Sequence, residues 1–265
     1  ERLARERLVV DDDRPGGLGW RFAHAAIREA LIAAALGQGR TRMLNRACAR
    51  ALAAGGKGQR GLNERIGRHL HAAGDHAQAL TWLLVAARRR LLRDEVREAA
   101  AVIDVAREAR RAGSLDADPR GSTVDVLGAI VQLRGGGHGG LRALDQAVAS
   151  ARAAGHDAAV TEGLVARADA WRRVGNVDAA MAALAEARTL AGATGDRGME
   201  ARALAGLAQV AAALGDSREA ITLVDRAREA AELSGEKLVV SEVASLAIRL
   251  ATPPTGPLAT PPDEV

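Results

Sequence analysis

The chain has 265 residues, 48% of them hydrophobic, yet holds only three Trp, one Phe and no Tyr, so its core must be alanine and leucine, which excludes a globule built round an aromatic centre and suits a stack of close-packed helices. The net charge of +4 hides a gradient: residues 1–60 carry 12 basic and 6 acidic groups, 61–114 carry 10 and 7, and 115–265 carry 15 and 20, so the long C-terminal part lacks the concentrated base of a nucleic-acid binder. The single Cys48 excludes an internal disulfide, no charged-then-apolar leader or run of 18 apolar residues stands in the sequence, and a reducing cytoplasm is the expected compartment, with no membrane as partner.

In chain order, residues 1–23 read as a β-hairpin, with Leu8-Val9-Val10 as one strand, Asp11 to Gly19 as a turn and Trp20-Arg21-Phe22 as the return strand. Two strands alone are marginally stable, so the hairpin is expected to complete a fold whose other part lies elsewhere; a first residue Glu1 fits a fragment or a processed product. Residues 24–60 read as a helical junction. One helix carries Ile27, Leu31, Ala34 and Ala35, and the next carries Leu44, Ala47, Cys48, Ala51 and Leu52, a pattern that expects Cys48 in the core. Gly55-Gly56-Lys57-Gly58 reads as a flexible link. Helices are then predicted near 62–73, 77–92, 95–112, 121–134, 140–154, 157–174, 177–193, 197–214, 217–234 and 237–250. Turns such as Gly74-Asp75, Gly175-Asn176 and Gly215-Asp216 separate them, glycine ending one helix and Asp or Asn capping the next. The prolines from Pro253 to Pro262 cannot hold a helix, and residues 251–265 are expected to be a disordered tail.

The strongest regularity is a glycine ladder. Gly135, Gly175 and Gly215 are spaced by one 40-residue period, as are Gly155, Gly195 and Gly235, and two interleaved series mean two helices per repeat. Setting 155–194 over 195–234 also aligns Leu164 with Leu204, Ala168 with Ala208, Ala180 with Ala220, Ala187 with Ala227 and Arg188 with Arg228. The expected fold class is all-α: an α-solenoid of helical hairpins over 61–250 preceded by the short β-hairpin.

Leu164, Ala168, Trp171, Gly175, Ala180, Leu184 and Ala187 resemble the tetratricopeptide pattern, which the flanking units keep as Leu204, Ala208, Ala211, Gly215, Ala220, Val224, Ala227 and as Val124, Gly128, Val131, Gly135, Gly140, Leu144, Ala147. The period is 40 rather than 34 and no proline closes a repeat, so HEAT-like packing is the alternative. Upstream, Trp20-Arg21-Phe22-Ala23-His24-Ala25-Ala26-Ile27-Arg28-Glu29-Ala30-Leu31 and His69-Leu70-His71-Ala72-Ala73-Gly74-Asp75 resemble the sensor end of STAND-type signal-transduction ATPases. That resemblance implies that the 8–22 hairpin is the wing of a winged-helix domain and that an upstream nucleotide-binding domain of the same polypeptide holds ATP and magnesium. It also implies that the repeats sense a protein or peptide partner in a concave groove. Two alternatives remain open: a fragment of a multidomain kinase, nucleotide cyclase or ATPase whose active site lies upstream, and a free-standing adaptor.

No catalytic, cofactor or metal set emerges within the chain. Gly135 to Gly140 satisfies G-x-G-x-x-G, but the repeat register makes it an inter-helix turn, without the βαβ unit a dinucleotide site needs. Lys57 lacks the preceding glycine and following Ser or Thr of a phosphate loop. His69, His71 and His76 cluster, but residues two apart on a helix diverge and Gly74 intervenes, so convergence on one metal is not expected. His24 with Glu29 or Asp11-Asp12-Asp13 has no nucleophile beside it. The candidate partner-binding residues are Arg88, Arg89 and Arg93 in the densest basic cluster, and Arg167, Arg172 and Arg173 beside Trp171 on the first helix of a repeat.

Overall fold

The computed structural model describes residues 6, 8–12, 19–37, 39–55, 61–136 and 139–251. Lys57, Asp13, His138 and the tail from Thr252 onward fall outside them. Two short strands, β1 (Val9–Asp12) and β2 (Gly19–Phe22), pair antiparallel with Val9 opposite Phe22, as the sequence leads one to expect. All other described elements are helices. The chain divides into two compact units, residues 1–138 and 139–265.

The first unit holds the hairpin and α1 (Ala25–Gly37), α2 (Thr41–Gly55), α3 (Leu62–Ala72), α4 (His76–Leu92), α5 (Val96–Ala112) and α6 (Pro119–Arg134). The second holds α7 (Gly140–Ala153), α8 (Asp157–Arg173), α9 (Val177–Thr194), α10 (Arg197–Ala213), α11 (Ser217–Ser234) and α12 (Lys237–Ala251). Within each unit every helix packs on the next, and α3 also meets α5, α4 meets α6, α8 meets α10 and α10 meets α12. The all-helical architecture with sequential packing is therefore as expected.

The turns explain the period. A residue in the left-handed conformation stands at Gly74, Asp94 and Ser114 in the first unit and at Gly155, Gly175, Gly195, Gly215 and Gly235 in the second. The next residue returns its N–H to the carbonyl five back: Asp75 to Leu70, Glu95 to Arg90, Leu115 to Arg110, His156 to Ala151, Asn176 to Trp171, Asp196 to Ala191 and Asp216 to Ala211, at 2.9–3.0 Å. This six-to-one closure satisfies the last carbonyls of these helices, whereas after Gly235 the Glu236 N–H donates to Ser234 Oγ at 3.1 Å instead. Asn176, Asp196 and Asp216 then cap the following helix through their side chains, accepting from the N–H groups of Ala179, Met199 and Glu219. One helix and one turn thus occupy 20 residues, and a hairpin occupies 40. Gly135 departs from the ladder: its φ is −72°, and Gly136 (φ 74°) takes the left-handed position instead.

The apolar positions that align at the 40-residue period are buried ones. Leu164, Leu204, Ala168, Ala208, Ala180, Ala220, Ala187 and Ala227 all lie in the core. Glycine admits the closest crossings, since a Cβ on Gly206 would stand 2.5 Å from Leu184 Cδ2 and one on Gly67 would stand 2.7 Å from Leu83 Cγ.

The junction corrects the sequence reading. Cys48 is exposed, and Met43, Leu44, Ala47 and Ala51 face outward with it, while Ala49 is the one buried residue of α2. The helix lies against α3 by Thr41, Asn45, Ala49 and Leu52, a stripe one position away from the apolar one. Polar contacts described below set that choice. No described side chain of α1 is buried, and Leu31, Ile32 and Leu36 are exposed.

Candidate binding face

In the second unit α8, α10 and α12 start 40 residues apart and lie side by side, so side chains one period apart form columns across them. One column is charged: Glu162, Arg202 and Glu242. Arg202 Nε donates to Glu242 Oε2 at 3.0 Å, and Arg202 Nη1 is 4.0 Å from Met199 Sδ. Glu162 is buried and the Arg202 side chain is 14% exposed. Burial raises the Glu242 carboxyl above its ordinary range; Arg202 pulls it down, and Glu162 and Glu236 push it further up. Sequence reasoning missed this column because the only charged pair it matched was the like-charged Arg188 with Arg228; applying the same period to opposite charges finds it.

The candidate arginines of this unit sit on α8. Arg172 Nη2 donates to Asp169 Oδ1 at 2.6 Å, and Arg173 Nη2 lies 2.9 Å from Asp169 Oδ2, so one carboxylate holds two guanidinium groups. Arg167 Nη1 reaches Asp145 Oδ1 of α7 at 3.5 Å, while its Nε is buried with no hydrogen-bond partner among the described residues. Trp171 between them is half-buried.

The other three candidates lie in the first unit on or just after α4. Arg89 and Arg93 are exposed and Arg88 is half-buried. Their neighbour Arg90 turns inward, donating from Nη1 to Glu95 Oε2 at 2.6 Å and from Nη2 to Glu64 Oε2 at 3.0 Å. Those two carboxylates, Glu95 first, hold the Arg90 guanidinium even more firmly protonated. Arg90 thus clamps α3, α4 and the start of α5 together, while Arg89 faces outward.

The histidines take separate partners. His69 Nδ1 lies 2.8 Å from Asn45 Oδ1, whereas His71 Nδ1 and His76 Nδ1 face one another at 3.0 Å. Gly135 and Gly136 follow helix α6 rather than a strand, whereas a dinucleotide fingerprint opens from a strand. His24 and Glu29 are exposed at the start of α1. No described helix is long and apolar enough to cross a membrane.

What this arrangement can do chemically is present fixed charges on closely spaced helices: a carboxylate-rich column through Arg202, and a patch of two arginines on one aspartate. No protein-family model matches the chain, and no curated protein matches it.

Proposed function

We propose that the chain is a non-catalytic interaction module, an α-solenoid of tetratricopeptide-like hairpins that takes a protein or peptide partner against the face formed by the first helices of its repeats. The observation that carries this reading is the 40-residue period, which sets α8, α10 and α12 side by side and repeats polar positions across them. Arrays of this kind present extended surfaces and bind through several repeats at once. Arg167, Arg172 and Arg173 are the proposed contacts on α8, with Arg88, Arg89 and Arg93 as a second basic patch in the first unit. The resemblance of the junction to STAND-type regulators supports a sensor role for the array, coupled to an upstream ATPase domain in a cytoplasmic protein.

The size of the native product, read by immunoblot with an antibody against residues 139–251, tests the second half of the proposal. A band far above 27.5 kDa whose peptides include a phosphate loop supports the sensor of a larger regulator. A band at 27.5 kDa removes that role and leaves a free-standing adaptor.

A further inference from the structure

The corner where α2 meets α3 and the turn before α4 sets His69 against a wholly basic helix and places His71 and His76 across the adjoining Gly74 turn. α2 carries Arg42, Arg46 and Arg50 and no acidic residue. It is fastened by polar groups: Asp75 Oδ2 and Oδ1 accept from Arg46 Nε and Nη2 at 2.6 and 2.5 Å, and Asn45 Oδ1 stands 2.8 Å from His69 Nδ1. Asp75 precedes α4 but makes no side-chain cap on it; its carboxylate is committed to Arg46. Beside this fastening, His71 and His76 meet across the Gly74 turn, their Nδ1 atoms 3.0 Å apart and their ring centroids 5.1 Å apart at 55°.

A 3.0 Å contact between two ring nitrogens needs one donor and one acceptor. The pair therefore tolerates two neutral rings, or one neutral ring and one imidazolium, but not two imidazoliums, whose N–H groups would point at each other. A first proton is met by Glu108 of α5, whose Oε2 lies 3.9 Å from His71 Nε2. A second finds Asp75 already occupied by Arg46, with Arg50 of α2 also acting on that carboxylate. Other charged groups near the corner are Arg42 of α2, whose Nε lies 4.0 Å from where a Cβ on Gly74 would stand, Arg65 of α3, which acts on His69, and Arg120 of α6, which reaches Ala77 O and Thr81 Oγ1 and is paired with Asp118. Acidification thus adds positive charge to a corner whose basic groups outnumber its carboxylates.

We propose that this corner is an acid-sensitive clasp: double protonation of the His71–His76 pair breaks their hydrogen bond, repels the all-basic α2 and frees it, with α1 attached, from α3 and from the turn that holds Asp75. Burial pushes both His71 and His69 below the ordinary histidine value of 6.5. A group whose folded pKa is depressed in this way binds fewer protons folded than released, so the clasp is at full strength above pH 6.5 and weakens as pH falls through that value. The exposed apolar residues Met43 and Leu44 on the outer side of α2 offer no compensating hold.

Cys48 is the chain's single cysteine and is exposed on α2, which makes it a reporter. A nitroxide attached there in the full-length chain is followed by electron paramagnetic resonance at pH 7.5 and pH 5.0, with far-UV circular dichroism at each pH. The ratio of mobile to immobile label is expected to rise severalfold at pH 5.0, with helical signal retained. A variant with both His71→Gln and His76→Gln, which keeps hydrogen-bonding groups but cannot charge at the pair, is expected to lose most of that rise and keep only the small part that His69 supplies, and Arg46→Ala is expected to be mobile at both pH values. Unchanged mobility in the parent chain overturns the proposal, as does a pH response of undiminished size in the double histidine variant. So does loss of helical signal across the whole chain at pH 5.0, because the clasp acts on one corner alone.

Discussion

At the scale of single residues, the turns carry an asymmetry open to measurement. The left-handed position that glycine fills at Gly74 and at five turns of the second unit is filled by Asp94 (φ 59°) and Ser114 (φ 49°), where a Cβ crowds the following carbonyl. Both are exposed, so replacing them costs no packing. Ser114→Gly is expected to raise stability by about 0.5–1 kcal/mol, the relieved strain less the extra freedom glycine gives the unfolded chain. Asp94→Gly should gain less, because Asp tolerates the left-handed region. Thermal unfolding followed by circular dichroism reads both, and a lowered midpoint for Ser114→Gly would show that the turn does not need the left-handed residue. A glycine pattern shows Gly74 but neither Asp94 nor Ser114, so it misses two of these three turns of the first unit.

Glu242 supplies a second test at this scale. Its carboxyl is raised above 4.5 mainly by burial, so between that value and its folded pKa the folded chain holds more proton than the unfolded one. Stability then rises as pH falls through this window, opposite in sign to the histidine effect. Glu242→Gln is expected to lose that rise: the difference in urea midpoint between variant and parent should shrink steadily as pH drops from 7 toward 4.5. A constant difference would show that Glu242 is not held in a protonation-sensitive setting.

At the scale of elements, small residues decide how closely helices approach, and two glycines in adjacent helices of the second unit make opposite predictions. A Cβ on Gly206 of α10 would press within 2.5 Å of the Leu184 side chain of α9, while one on Gly192 of α9 meets nothing within 4 Å. Gly206→Ala is expected to cost about 1–3 kcal/mol through overpacking, and Gly192→Ala to gain about 0.5–1 kcal/mol through helix propensity. Chemical denaturation of the two variants side by side checks the pair; a loss at both positions would mean that backbone freedom, not the α9–α10 crossing, governs them. Helices α3 to α12 were legible within two residues of their observed ends, because their turn residues and apolar period agree. The packing face of α2 was not. Its apolar period points to Leu44, Cys48 and Ala51, yet the anchors Arg46 to Asp75 and Asn45 to His69 turn that stripe outward, and long-range polar pairing leaves no mark in a local period. Arg90 was hidden in the same way, since nothing in Arg88-Arg89-Arg90 says which of the three finds Glu64 and Glu95 across two turns.

At the scale of the whole molecule, the sequence reveals the array more readily than its partner, because a period fixes where side chains repeat and says nothing of what meets them. The charge gradient still directs a test. The region from 115 onward is acidic overall, with 15 basic against 20 acidic residues, yet Asp169, Arg172 and Arg173 make a local patch of net positive charge on α8. If a partner docks on the first helices of the repeats, an acidic segment is the one this patch attracts. Reversal by Arg172→Glu with Arg173→Glu then turns two attractive charges into repulsive ones around a third carboxylate. Each exposed pair contributes about 0.2–1 kcal/mol, so reversing two is expected to weaken capture of the native partner on the immobilised full chain by roughly tenfold, since about 1.4 kcal/mol is a factor of ten. The loss should be largest at low salt and fade as ionic strength rises, because both arginines reach solvent where ions screen them. Helical signal and unfolding midpoint, read on the same preparation, separate lost contact from lost fold: undiminished capture at low salt with an intact fold would remove Arg172 and Arg173 from the binding face and move the search to the Glu162, Arg202 and Glu242 column.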